Sequence, residues 1–276
     1  MTEMLTIPLR NLLRETHSAL SLGDSRIVAW NDLPSETQEV IGEVTDSKYI
    51  FILQMPSRVG EEPRRTLDRA LTVFKLFKDS LVLSNYVFMG TQRYDVLPHY
   101  THWIDRDRGF PEYRFFRNEE PAFVEFWNEF IELPPQNFAA YRFHLADYRA
   151  YSRDRLTDYL ESLEYLLVPD SGEGEIGYKF RSRGCMIFGK DKNAKERENI
   201  WNCLKQSYDL RSAIVHGDSD RENELVPDGR WEDRLQLIRQ YDRDAIKFFF
   251  RARCLDNNAK RLELLKKKLI FEPKIT

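Results

Sequence analysis

The chain predicts an α+β N-terminal domain followed by an all-α helical domain. Short strand-like apolar runs alternate with amphipathic helices in the first half of the sequence. Pro134-Pro135 then interrupts the pattern, because proline cannot sit in a helix interior and restricts the residue before it. Beyond that point apolar residues recur almost solely at helical spacing. The expected division is residues 1–135, a mixed domain with a sensing or substrate-recognition role, and residues 136–276, a helical domain.

In the first half, Ser47-Lys-Tyr-Ile-Phe-Ile-Leu-Gln54 reads as a strand closed by Met55-Pro56. Pro63 to Asp79 follows as a helix, with Leu67, Ala70, Leu71, Phe74 and Phe77 at three-to-four spacing and Pro63 suited to the first turn. Asn85 to Met89 and Tyr113 to Phe116 are further short strands. Glu119 to Leu133 is a helix whose stripe is Phe123, Phe126, Trp127 and Phe130.

In the second half, helical period runs from Asn137 to Val168 through Tyr141, Leu145, Tyr148, Leu156, Tyr159, Leu160, Leu163 and Leu167. Pro169 to Glu175 is a loop, Gly177 to Phe188 a short helix, and Gly189 to Lys192 a turn. Asn193 is placed to cap a long helix ending at His216, with Gly217 as the left-handed residue beyond it. Leu235 to Leu255 forms the last strong helix, and Lys266-Lys-Lys268 reads as a solvated helix end.

Length and composition set the class. At 276 residues there is room for two domains, and 42% hydrophobic with 32% charged residues describes a globular protein with a large charged surface. No apolar run reaches the length of a membrane span, and the start of the chain has an early acid and no signal-peptide core. Cys185, Cys203 and Cys254 form no Cys-x-x-Cys pair, as in a reduced, cytoplasmic protein. A net charge of −3 argues against general coating of nucleic acid but permits a local basic groove.

Chemistry concentrates in Tyr208-Asp-Leu-Arg-Ser-Ala-Ile-Val-His-Gly217. It sets an arginine beside a side chain of the type that titrates near neutrality, the pairing that metal-free cleavage of an RNA phosphodiester requires. Five residues along a helix turn through about 140° and rise about 7.5 Å, so Arg211 and His216 diverge, whereas Ser212 and His216 share a face. One chain therefore makes an incomplete site, which two helix ends meeting across a two-fold axis would complete. The structural alternative is an Arg211 paired with an acid such as Glu164 and a His216 that caps the helix.

A substrate groove also needs positive charge. From Ile176 to Arg197 seven basic residues stand against two acids. Lys179, Arg181, Arg183, Lys190 and Lys192 are the candidate RNA contacts, with Tyr178 and Phe180 interleaved for base stacking. The competing reading is a solvated face with its aromatics turned into the core. Gly172-x-Gly174-x-x-Gly177 fits a dinucleotide fingerprint in spelling, but it follows a helix and carries Glu173 and Glu175. His99 and His102, with Asp105 and Asp107, form an alternative metal cluster behind Pro98 that would move the activity to the first half.

The segment from Tyr208 to Gly217 resembles the signature of the HEPN superfamily, and more narrowly its Apea-like branch. Leu160-Glu-Ser-Leu-Glu-Tyr-Leu-Leu167, the glycine-rich loop and Ile176-Gly-Tyr-Lys-Phe-Arg-Ser-Arg183 resemble the earlier part of that domain, so the likeness covers roughly residues 138 to 255. The resemblance implies an all-α HEPN-type helical bundle that dimerises. It also implies a metal-independent endoribonuclease of anti-phage defence or toxin type, with RNA and not DNA as substrate and no cofactor. Arg211 and His216 then take the catalytic positions, Ser212 orients the phosphate or the imidazole, and Glu164 orients Arg211. Ser212 stands where strongly ribonucleolytic members often carry Asn, Asp or His, and Asp218 stands where a nucleotidylated subgroup carries tyrosine. The alternative function within the family is a non-catalytic module that dimerises or binds RNA.

Overall fold

The computed structural model describes residues 4–9, 12–16, 18–42, 51–57, 60–79, 82, 84, 86–90, 92–95, 113–134, 136–227 and 231–271. The chain divides into two compact units, Met1–Pro135 and Gln136–Thr276. The first is a small antiparallel sheet with helices and the second is helical.

Eight strands are described in the first unit: β1 (Met4–Leu9), β2 (Leu12–Arg14), β3 (Leu20–Leu22), β4 (Ser25–Ala29), β5 (Phe51–Pro56), β6 (Tyr86–Met89), β7 (Gln92–Asp95) and β8 (Tyr113–Phe115). Six pair in the order β3-β4-β5-β1-β6-β7, every neighbour antiparallel, while β2 and β8 form a separate parallel pair. The strand expected at residues 47–54 begins at Phe51 and runs through Pro56; residues 43–50 lie outside the described residues. The sequence reading gives no strand at β1, and Pro8 lacks the N–H that an inner strand uses on both sides. The structure accommodates it: β1 pairs with β5 along its whole length, but the described ladder to β6 ends at Thr6.

Helix α1 (Ser35–Gly42) is followed by α2 (Pro63–Phe77) and α3 (Glu120–Phe130). Leu67, Ala70, Leu71 and Phe74 are buried, as their spacing requires. Phe74 stacks on Phe123 of α3 with ring centroids 5.0 Å apart and meets Tyr113 of β8 edge-on, so one aromatic cluster ties these elements together. Burial extends around α2 to Arg69, whose guanidinium is held by Glu61 at 2.8 and 3.1 Å.

The second unit contains α4 (Phe138–Ala146), α5 (Ser152–Leu167), α6 (Ile176–Phe188), α7 (Ala194–His216), α8 (Ser219–Leu225), α9 (Glu232–Arg251) and α10 (Asn258–Phe271). Helix α5 is the hub, packing on α4, α6, α7, α9 and α10. Leu156, Tyr159, Leu160, Leu163 and Leu167 are fully or almost fully buried there. The period read from Asn137 to Val168 is two helices: a corner at residues 147–151 separates α4 from α5. Tyr148, 2% exposed, keeps the apolar rhythm through that corner, and this is why the break was not visible in the sequence. At the corner Asp147 accepts hydrogen bonds from the Tyr159 hydroxyl at 2.5 Å and from Arg239 at 3.2 and 3.3 Å.

Among the described residues, no helix is long and apolar enough to cross a membrane.

Candidate active site

Helix α7 is fixed at both ends by its own sequence. At its start the Asn193 side chain accepts from the Glu196 N–H and the Glu196 carboxylate accepts from the Asn193 N–H, a capping box. At its end Gly217 turns left-handed at φ 70°, with its N–H bonded to the Ile214 carbonyl and the Asp218 N–H to the Ala213 carbonyl, a Schellman closure. Asp218 then caps α8 by accepting from the Arg221 N–H at 3.0 Å. The turn after His216 is thus a working helix stop followed at once by a helix start.

The buried stripe of α7 is Ile200, Leu204, Ser207, Leu210 and Ala213, and it ends three residues before His216. The imidazole therefore clears the bundle and is exposed, next to Val215 at 56% exposure. His216 makes no hydrogen bond or ion pair with the described residues. Ser212, one turn earlier, is half-buried.

Arg211 lies on the edge of that stripe and meets α5. Its Nη1 is 3.5 Å from Oε2 of Glu164, with the two side chains 24% and 22% exposed. Neither Glu164 Oε2 nor Arg211 Nε has a hydrogen-bond partner among the described residues, so this is a charge contact rather than a fork of hydrogen bonds. The Tyr208 phenol, three residues before Arg211, faces the same carboxylate. Burial, reinforced by the Glu164 charge and hydrogen bond, raises it above the ordinary phenol value. The structure thus brings Glu164, Tyr208 and Arg211 together. Tyr208 has no role in the sequence reading, although its spacing of three from Arg211 is the signal that it shares a face.

Arg211 opens onto a groove of about 400 Å³ lined also by Phe138, Glu161, Glu164, Tyr165 and Asn258. Of these, only Glu164 was anticipated. Glu161, one turn earlier on the same face of α5, could have been found by the same spacing rule. A larger groove of about 560 Å³ lies between α6, α7 and α9, lined by Phe188, Ile200, Leu237, Tyr241 and Phe248. It contains neither Arg211 nor His216.

The basic segment divides. Arg183 is not a surface contact: it is 5% exposed and forks onto Asp170 at 2.5 and 2.9 Å while donating to the Leu167 carbonyl at 3.0 Å. Those bonds hold the Asp170 carboxyl well below the usual carboxylate range. Lys179 joins the same carboxylate at 3.3 Å. Both residues fasten the loop to α6, and the acid responsible, Asp170, lies just before the basic segment Ile176 to Arg197. Phe180 is fully buried against Tyr208, so it is a core residue and not a stacking platform. Tyr178 stays 56% exposed on the edge of Trp201, over which Arg181 lies at 5.2 Å. Lys190 and Lys192 are exposed in the turn before α7, with Lys192 3.4 Å from Glu196.

The glycine run at 172–177 joins α5 to α6, a helix-to-helix loop, which is not where a dinucleotide fingerprint sits. His99, His102, Asp105 and Asp107 lie outside the described residues. Among the described residues no three His, Cys, Asp or Glu side chains converge as metal ligands. Burial raises the thiols of Cys185, Cys203 and Cys254 above their ordinary value, which disfavours the thiolate a nucleophile needs. Comparison with known family models, curated proteins and solved structures finds no match to this chain.

Proposed function

We propose that the helical unit is a HEPN-type, Apea-like endoribonuclease that cleaves RNA without a metal at a site completed by a second copy of the chain. The observation that carries the reading is the contrast between two arginines of one unit. Arg183, a structural arginine, is buried and forked onto its acid. Arg211 has one loose 3.5 Å contact rather than a fork and borders an open groove. A guanidinium held in place but not saturated is what binding a phosphate requires.

The chemistry follows from the residue types. The RNA 2′-oxygen attacks the adjacent phosphorus as its proton passes to an imidazole; the bond to the 5′-oxygen breaks and that oxygen takes a proton from an imidazole acid. The products are a 2′,3′-cyclic phosphate and a 5′-hydroxyl. His216 supplies the imidazole, and Arg211 stabilises charge on the non-bridging oxygens. Glu164 positions Arg211, and Ser212 shares the face of His216. Because Arg211 and His216 diverge on their helix, a dimer places Arg211 of one copy near His216 of the other. Anti-phage defence or toxin action and a cytoplasmic setting accord with the family resemblance. The non-catalytic alternative is favoured by the fact that Arg211 does contact an acid, as a structural pair would.

An RNA oligonucleotide and its 2′-deoxy counterpart distinguish the readings. The proposal expects cutting of the RNA alone, lost in Arg211→Ala with thermal stability unchanged. Equal cutting of both strands, or undiminished cutting by Arg211→Ala, would overturn it.

A further inference from the structure

Two aspartates in the core of the helical unit are satisfied in opposite ways. Asp147, 1% exposed, is ion-paired with Arg239 and accepts from the Tyr159 hydroxyl. Asp242 on α9 is 0% exposed and has no ion pair among the described residues. Its polar contact there is Ser162 of α5, whose Oγ lies 2.5 Å from the Asp242 Oδ1. The Asp242 Oδ2 has no hydrogen-bond partner among the described residues.

A serine hydroxyl has one hydrogen to give. Ser162 Oγ also lies 3.1 Å from the Ala139 carbonyl oxygen of α4. Were Asp242 ionised, that one hydrogen would face two acceptors, and a carboxylate would sit in the core without a cation. With a proton on Asp242 the count closes. The acid O–H donates to Ser162 Oγ, and the Ser162 O–H donates to the Ala139 carbonyl. The remaining Oδ2 is then an uncharged oxygen, which costs less to leave unpartnered than a charged one.

Nothing packed around Asp242 replaces the missing cation. On α9 itself, Arg239 is turned to Asp147, and neither it nor Arg243 forms an ion pair with Asp242. On α5 the facing group is the Tyr159 phenol, which Asp147 holds. On α4, Arg142 is drawn to Asp158 and Glu161, and the His144 ring lies 5.0 Å from that of Tyr148. Helices α6 and α7 bring the Cys185 and Cys203 thiols toward the neighbouring Tyr241, and Arg183 of α6 is forked onto Asp170. Burial accordingly pushes the Asp242 carboxyl well above its ordinary value.

We propose that Asp242 is uncharged in the folded protein at neutral pH and that its proton pins α9 to α5 and α4, so that the helical unit loosens as pH rises. Loss of the proton to solvent leaves a charge in the core and breaks the O–H chain at its first link. The pin adjoins the candidate site in sequence: Ser162 lies between Glu161 and Glu164, and Ala139 follows Phe138, three residues that line the groove beside Arg211. The proton can be detected whether or not the chain cuts RNA. A carboxyl that titrates higher in the folded than in the unfolded chain stabilises fully below the unfolded value of about 3.9. That stabilisation is lost as pH rises toward the folded value, and across the window the folded-to-unfolded ratio falls about tenfold per pH unit.

Carboxyl carbon-13 NMR of the labelled full chain, from about pH 5 to about pH 8, reads the proton directly. The Asp242 signal, identified by its loss in Asp242→Asn, should stay at the position of a protonated carboxyl at about pH 7. A carboxylate position at that pH would overturn the proposal. Asp242→Asn keeps an N–H donor for Ser162 and has no proton to lose. In urea denaturation followed by the helical signal, its folded-to-unfolded ratio should gain on that of wild type about tenfold per unit between about pH 5 and about pH 7. Parallel pH profiles for the two proteins would equally overturn it. If Asp242→Asn does not fold, the Asp242 signal assigned through its own backbone in wild type still decides.

Discussion

Replacing Glu164 by Gln separates a positioning role from a structural one. At 3.5 Å two unit charges attract by about 1.2 kcal/mol in water and about 5 kcal/mol at an effective dielectric of 20. Both side chains are roughly a quarter exposed and the contact is not a fork, so solvent and salt reduce the net worth to about 0.2–1 kcal/mol. The variant should therefore melt within about 5 °C of wild type. The electrostatic effect should be visible next door. With the Glu164 charge gone the Tyr208 phenol should titrate lower than in wild type, yet stay above its ordinary value because burial, the larger cause, remains. Ring-labelled tyrosine NMR across an alkaline titration reads this directly. If Glu164 positions Arg211, RNA cleavage should fall about tenfold to a hundredfold, in kcat more than in KM. A drop of 10 °C or more would mark Glu164 as a structural partner, and an unchanged rate would refute its positioning role.

Three further outcomes follow from the scaffold around the site. Asp170 has a carboxyl depressed on folding, so its stabilisation is complete above the unfolded value of about 3.9 and is lost as pH falls below it; the urea midpoint of wild type should drop more steeply between about pH 5 and pH 2 than that of Asp170→Asn. Arg183→Met strips that carboxylate of its forked partner, leaving only Lys179 at 3.3 Å, and should cost about 3 kcal/mol in chemical denaturation, whereas a loss below about 1 kcal/mol would contradict the assignment of Arg183 to the loop. Gly189→Ala places a Cβ 2.5 Å from the Cys185 carbonyl oxygen, and since that atom is backbone the α6–α7 turn must shift, at about 1–3 kcal/mol by thermal melting.

Legibility in the sequence followed how local each signal was. Helix α7 was readable to the residue because its capping box and its left-handed glycine are written in adjacent positions. Helix α8 was not, since Ser219–Leu225 has no buried residue and hence no apolar period. Helix α10 reads as a solvated end because, among its described side chains, the buried ones are Arg261 and Leu265, set among lysines. Among the strands, β2 and β3 are three residues long, too short to show alternation, and β1 carries Pro8. At the site, Arg211, Ser212, His216 and Glu164 were nameable from spacing and resemblance. The fate of Arg183 and Phe180 was not, because burial depends on Asp170 and Tyr208, partners that a charge count over one window does not reveal. The groove at Arg211 gathers residues from four helices and the loop after α5, and no linear motif connects Phe138, Glu161 and Asn258.

The most direct test of the central claim is purified wild-type and His216→Ala protein incubated with total RNA in excess EDTA, with end groups analysed afterwards. Exposed His216 is not part of the core, so the variant should fold and melt as wild type does. The account predicts cleavage by wild type alone, leaving 2′,3′-cyclic phosphate or the 3′-phosphate it hydrolyses to. Equal cleavage by both proteins, or ends carrying a 5′-phosphate and a 3′-hydroxyl, would contradict it.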